Sequence, residues 1–280
     1  MNYEFNFLLK GIIRTFAPML RFLLSIFTLL PLWAMISCQH KTVVDEERQQ
    51  LTVSIVPQKF LVTRIAGDKY EVQAMMPTGS NHETYEPVPR DMEKITSSKF
   101  YFAVGALDFE LTWMDRFKAA NPSMQIINTS EGIEMLGGHI HDHDEKGHVH
   151  ANHGTDPHTW LSPSCMKIQA GNICKALSIA NSKDSALYNK NLQNFIALAD
   201  SADLRIRDIL SGSEGKSILI FHPALGYFAR DYGLSQISIE QEGKEPSPAY
   251  LGELIKTAKE KGIKAVYISR EFDTRNAEAI

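Results

Sequence analysis

Short apolar runs alternate with amphipathic stretches along most of this chain. From residue 51, "LTVSIVP" is a β-rich run stopped by proline. A helix-like stretch follows to Ala66 and is closed by Gly67. "YEVQAMMPTGS" reads as a second strand running into a turn, and residues 89–98 read as a helix with Pro89 in its first turn. "FYFAV" is an apolar strand, residues around 110–119 are helical, and "MQIIN" is a fourth strand. Strand runs this short and this apolar, separated by helices, predict βαβ units and a parallel sheet covered on both faces.

The pattern then breaks. Residues 137–157 contain almost no apolar side chain and cannot order themselves by burial. "SPSCMKIQAGNICKALSIA" returns to helix, and residues 182–211 run on without proline or internal glycine, with apolar positions at helical spacing from Leu187 to Ile209. A helix of that length spans roughly 40 Å, more than one small lobe needs. A second series begins after Gly212: strand "SILIF", a helix from Ala224, a strand over 235–240, a helix from Pro248 and the strand "KAVYIS". The predicted fold is α/β, with two Rossmann-like lobes of parallel sheet joined by a long α-helix. The expected boundaries are 51–181 for the first lobe, with its histidine-rich loop at 137–157, 182–211 for the linking helix and 212–280 for the second lobe.

The segment before residue 51 has a different character. Lys10, Arg14 and Arg21 precede the apolar run "FLLSIFTLLPLWAMISC", the anatomy of a secretory signal. The run is shorter than the roughly 20 residues that cross a bilayer. Its end, Met35-Ile36-Ser37-Cys38, resembles a bacterial lipobox, apart from Met in place of the commoner leucine. That resemblance implies a signal peptide over 1–37, a lipid on the Cys38 thiol, an anchor on the outer face of a membrane and a polar tether over 38–50. Met19 is a candidate start for the signal. Cys165 and Cys174 share one predicted helix, nine residues apart. The separation is about 13 Å, too far for a disulfide between them, so both are expected as small buried side chains. The net charge of −4 gives no electrostatic basis for nucleic-acid binding.

The unusual chemistry is imidazole. Seven of the ten histidines lie in "GGHIHDHDEKGHVHANHGTDPHTW". Three histidines stand out by position: His82 follows the strand ending at Met76, His158 follows the strand ending at Asn128, and His222 ends "SILIFH". In open parallel sheets ligands bind beyond the carboxyl ends of the strands. Three imidazoles with a fourth open or carboxylate position suit Zn2+. The remaining loop histidines, His139, His141, His143, His148, His150 and His153, interleave with Asp142, Asp144 and Glu145, and form a candidate accessory site that collects metal loosely.

"TGSNHETYEPVPRDMEKI", "DPHTWLSP" and "LIFHPALGYFARDYGL" resemble the three histidine signatures of the cluster A-I, TroA-like solute-binding proteins, which serve zinc and manganese ABC importers. "IEQEGKEPSPAYLGELI" and "KGIKAVYISREF" are similar to that family's second lobe, so the resemblance covers residue 51 to the end. It implies that His82, His158 and His222 bind metal in the interlobe cleft, that the chain is a monomeric receptor, and that its partner is a membrane permease. The acidic, histidine-rich loop resembles the zinc branch of the ZnuA kind. The manganese branch often has Glu as third ligand where this chain has His222, so Zn2+ is the expected cargo and Mn2+ the alternative. Family members usually continue past "AEAI" and some supply a carboxylate ligand there. A second lobe cut short near Ile280 is therefore expected, with Glu271 a lesser candidate ligand.

Enzymatic readings find little support. "HETYE" lacks the second histidine of H-E-x-x-H, and Pro87 and Pro89 argue against the helix that motif needs. "GSEGKS" lacks the first glycine of a P-loop and precedes a strand where a helix belongs. A secreted zinc hydrolase with Glu83 as base and a metal-dependent adhesin are the rival readings, and neither is preferred to a receptor without enzymatic activity.

Overall fold

The computed structural model describes residues 48–137, 154–240 and 246–268. Four parallel strands form the first sheet: β1 (Gln49–Val53), β2 (Tyr70–Ala74), β3 (Ser98–Ala103) and β4 (Gln125–Asn128), in the order β2-β1-β3-β4. The helices between them are α1 (Val56–Ala66), α2 (Pro89–Ser97) and α3 (Asp108–Ala120). The order reverses beside β1, which opens a crevice at the carboxyl ends of the strands.

β3 shows why the sheet is covered on both faces. Phe100 and Phe102 point into one core with Leu51, Val53, Leu61, Ile65, Ile173 and Leu177. Tyr101 and Ala103 point into the other, with Ile55, Met75, Ile95 and Phe117. Side chains alternate at every step of a strand, so a strand apolar at every position must be buried on both sides.

The helix α4 (Pro163–Ala180) is followed by a short 3-10 turn, Ser182–Asp184, and then by α5 (Ser185–Ile209). The expected 182–211 helix is therefore shorter at both ends. α5 is also more than a strut: Tyr188, Phe195 and Ala199 are buried in the first core against α1 and α4. Its far end meets the second lobe, where Tyr232 donates to Asp203 at 2.9 Å and the Arg207 guanidinium lies over the Tyr232 ring. Cys165 and Cys174 are buried free thiols on α4.

The second sheet has the order β6-β5-β7, all parallel, from β5 (Ser217–Ile220), β6 (Ser235–Ser238) and β7 (Val266–Tyr267). The short helix α6 (Gly226–Asp231) joins β5 to β6, and α7 (Pro248–Glu260) joins β6 to β7. The helix expected from Ala224 thus begins two residues later. Leu219, Phe221, Ile239 and Leu254 form the core of this lobe. Among the described residues, no helix is long and apolar enough to cross a membrane.

Candidate metal centre

His82, His158 and His222 converge. Nε2 of His158 lies 3.0 Å from Nε2 of His82 and 3.1 Å from Nε2 of His222. Ligand nitrogens about 2.05 Å from a tetrahedral ion stand about 3.3 Å apart, so the spacing is close to that of a ligand set. His158 and His222 are each only 5% exposed, and His82 is half-buried. The Trp160 ring stands beside His158 and His82, with centroids 5.0 and 6.3 Å away.

Each histidine arrives by a different local device. His82 sits in a turn between β2 and α2, not on a helix. The loop turns at Gly79, whose φ of +81° suits glycine. Its base is tied down by Tyr85, whose hydroxyl donates to Asp91 at 2.7 Å and lies 3.0 Å from the Met75 carbonyl, and by Lys94, which donates to Asp91 and to the Ala74 and Met75 carbonyls. The placement of "HETYE" in a turn removes the geometry a helical H-E-x-x-H site would require.

His158 follows a closed loop root. Gly137 and Thr155 form an isolated antiparallel bridge, and the Asp156 amide donates to the Leu136 carbonyl at 2.9 Å. Asp156 Oδ1 then accepts from both the backbone N–H of His158, at 2.9 Å, and its Nδ1, at 2.8 Å. The first bond fixes the turn and the second fixes the ring.

His222 lies just beyond β5. The β5–β6 pairing continues past the named strands, with Ile239 N–H donating to Ile220 and Glu240 N–H to Phe221. That continuation sets Glu240, 4% exposed, against the His222 ring, with Nδ1 3.2 Å from Oε2. Glu83 Oε1 stands 3.9 Å from the same Nδ1. Glu83, His222 and Glu240 thus form a second potential ligand group that shares His222 with the first.

The electrostatics follow from burial and crowding. Burial, then the neighbouring His158 and His222, drives the His82 imidazole down to about 3. Burial also lowers His158, although the Asp156 carboxylate opposes the shift. Burial raises the Glu83 carboxyl, aided by Glu240 and opposed by His222. Protons are therefore disfavoured on two of the three rings. Asp156 stands 2.8 Å behind His158 Nδ1 and Glu240 3.2 Å behind His222 Nδ1, and the Nε2 atoms on the other side of the two rings converge to 3.1 Å. In the neutral form with N–H on Nδ1, imidazoles so arranged offer their Nε2 atoms to one cation.

Asp156 and Glu240 are the residues the sequence reading missed. Asp156 carried a local signal, an acidic side chain two residues before a histidine. Glu240 carried none, because strand pairing alone brings it to His222. The loop histidines His139, His141, His143, His148, His150 and His153, the lipidation candidate Cys38 and the candidate Glu271 lie outside the described residues. A separate cavity of about 200 Å³ at the ends of β3 and β4 is lined by Val104, Gly105, Ala106, Asn128, Ser130, Met135 and Thr155. It has no charged side chain and none of the three histidines.

Comparison with known proteins gives the same direction. The profile of a family described as zinc-uptake complex component A, periplasmic, matches residues 51–280. A protein of Chlamydia trachomatis named for metal binding is 30% identical over 246 residues, covering 88% of this chain and 84% of the relative. The high-affinity zinc uptake system protein ZnuA of Bacillus subtilis is 27% identical over 243 residues, covering 84% of this chain and 75% of the relative. A crystal structure of ZnuA superposes with a TM-score of 0.75 at 35% identity, covering 83% of this chain and 86% of that one. With its profile match running from the first strand to the last residue and its two parallel sheets in place, this chain belongs to the ZnuA family of zinc-uptake components.

Proposed function

We propose that this protein is an extracytoplasmic receptor that binds Zn2+ through His82, His158 and His222 and delivers it to an ABC-type permease. The observation that carries the reading is the approach of the His158 and His222 Nε2 atoms to 3.1 Å while carboxylates stand behind both rings. A dication held by these nitrogens exploits the negative charge behind the rings. Three nitrogens favour zinc; manganese prefers oxygen donors. The family is one of transport components, and B. subtilis ZnuA is named for zinc uptake. Lipidation at Cys38 anchors the receptor, which works as a monomer, and the histidine-rich loop gathers metal beside the cleft.

Zinc titration against a competing chelator tests the assignment. Alanine at His82, His158 or His222 is expected to weaken binding beyond the roughly 10–100-fold typical of losing a supporting partner. Single alanines at His139 to His153 are expected to change it little. Equal losses from both sets would refute the site.

A further inference from the structure

The short helix α6 belongs to the second lobe, yet its polar contacts gather on residues 134–136 and 156–165 of the first, which flank His158. The Tyr227 hydroxyl donates to the Asp156 carbonyl at 2.7 Å and accepts from the Leu136 amide at 3.1 Å. Arg230 donates to the Glu134 carbonyl at 3.2 Å. Asp231 accepts from the hydroxyls of Ser162, at 2.5 Å, and Ser164, at 2.6 Å, at the amino end of α4. Gly226 completes the set by what it lacks. A Cβ built there would stand 2.4 Å from Asp156 Oδ2 and 3.2 Å from Leu136 Cδ1. Gly226 has no positive φ, so its backbone does not require glycine. The space is filled instead by the carboxylate that orients His158.

We infer that Gly226 and Tyr227 are positioning residues for the metal site, holding Asp156 from the opposite lobe so that Asp156 can hold His158. This rests on the assignment of His158 as a zinc ligand. Tyr227 fixes the Asp156 backbone, and Gly226 leaves room for its side chain in the position where Oδ1 reaches both the His158 amide and Nδ1. Docking of the lobes and orientation of His158 then become one event. When α6 withdraws, the Asp156 turn loses its support and His158 loses a fixed ring.

A double-mutant cycle on the full chain, using Zn2+ itself with a competing chelator, tests the chain of contacts. Gly226→Ala is expected to weaken zinc binding roughly 10-fold or more, the range for losing a metal ligand's partner. It should also alter the visible absorption of the Co2+-loaded protein, which reports ligand geometry and not stability. In an Asp156→Ala background, Gly226→Ala should change affinity by less than about 2-fold, since the carboxylate it would strike is gone. Tyr227→Phe should act in the same direction with a smaller loss, and it supplies the same cycle with Asp156→Ala if the alanine at 226 fails to fold. Native affinity in Gly226→Ala, or equal losses in both backgrounds, would overturn the inference. His158→Ala separates the two levels: if it leaves zinc binding intact the ligand assignment itself fails, whereas a large loss there with an additive cycle removes only the role of α6.

Discussion

Replacing Glu240 by Gln tests the charge behind the metal centre. The substitution keeps an oxygen near His222 Nδ1, 3.2 Å from Oε2 in the native protein, and removes one negative charge. Adding the width of the imidazole and a metal–nitrogen bond of about 2.1 Å puts the carboxylate about 7 Å from a bound ion. At an effective dielectric of 20, a dication and a carboxylate at that distance attract by about 5 kcal/mol. Glu83, 3.9 Å from the same nitrogen, takes over part of that attraction. The expected net cost is a 10–100-fold loss of zinc affinity, about 1.4–2.8 kcal/mol. The zinc-free protein should respond in the opposite sense. Glu240 is buried, and among the described residues its Oε1 has no hydrogen-bond partner, so removing the charge should leave the thermal midpoint unchanged or raise it. Affinity is read by chelator competition and stability by thermal unfolding in chelator. Unchanged affinity, or parallel losses in affinity and zinc-free stability, would show that Glu240 is a packing residue and not a partner of the metal centre.

Three further outcomes follow from other parts of the molecule. Zinc at 1,000 times its dissociation constant should stabilise the protein by about 4 kcal/mol and raise the thermal midpoint by roughly 8–16 °C, and His158→Ala should abolish most of that shift in a thermal-melt assay. Burial pushes the Asp231 carboxyl up, but hydrogen bonds from Ser162, Ser164 and Arg230 outweigh it and hold the group below its usual range. Asp231 therefore contributes stability above an unfolded value of about 3.9 that is lost as pH falls through the lower folded value, so in denaturant titrations Asp231→Asn should flatten the acid-side decline and cost about 1.5–3 kcal/mol at neutral pH. Gly105 has a φ of +101°, and a Cβ there would stand 2.3 Å from Asn128 Oδ1, so Gly105→Ala should destabilise by more than about 2 kcal/mol in the same titration; a smaller loss would mean that the Asn128 side chain yields freely.

The two cores were legible because strand and helix periods are local. "FYFAV" had to be covered on both faces, and the stretch with apolar positions from Leu187 to Ile209 had to be helical. The long helix was misjudged at its ends, where the 3-10 turn at Ser182–Asp184 takes the first turn and the chain leaves the helix after Ile209. Its share in the first core was invisible too, because Tyr188, Phe195 and Ala199 have the same spacing whether a helix is free or packed.

What the sequence determined by itself was the inventory: apolar runs of fixed period, three histidines each in the connection that follows a strand, and a root at "DPH" that sets a carboxylate two residues before one of them. Tertiary structure decided which groups share a site. Glu240 meets His222 only because β6 pairs with β5, and Gly226 meets Asp156 only because the lobes dock. Period and turn chemistry act over a few residues and are written in neighbours. Electrostatic support for a ring acts through a few ångströms of space, and that space is created only when segments distant in the chain pack together.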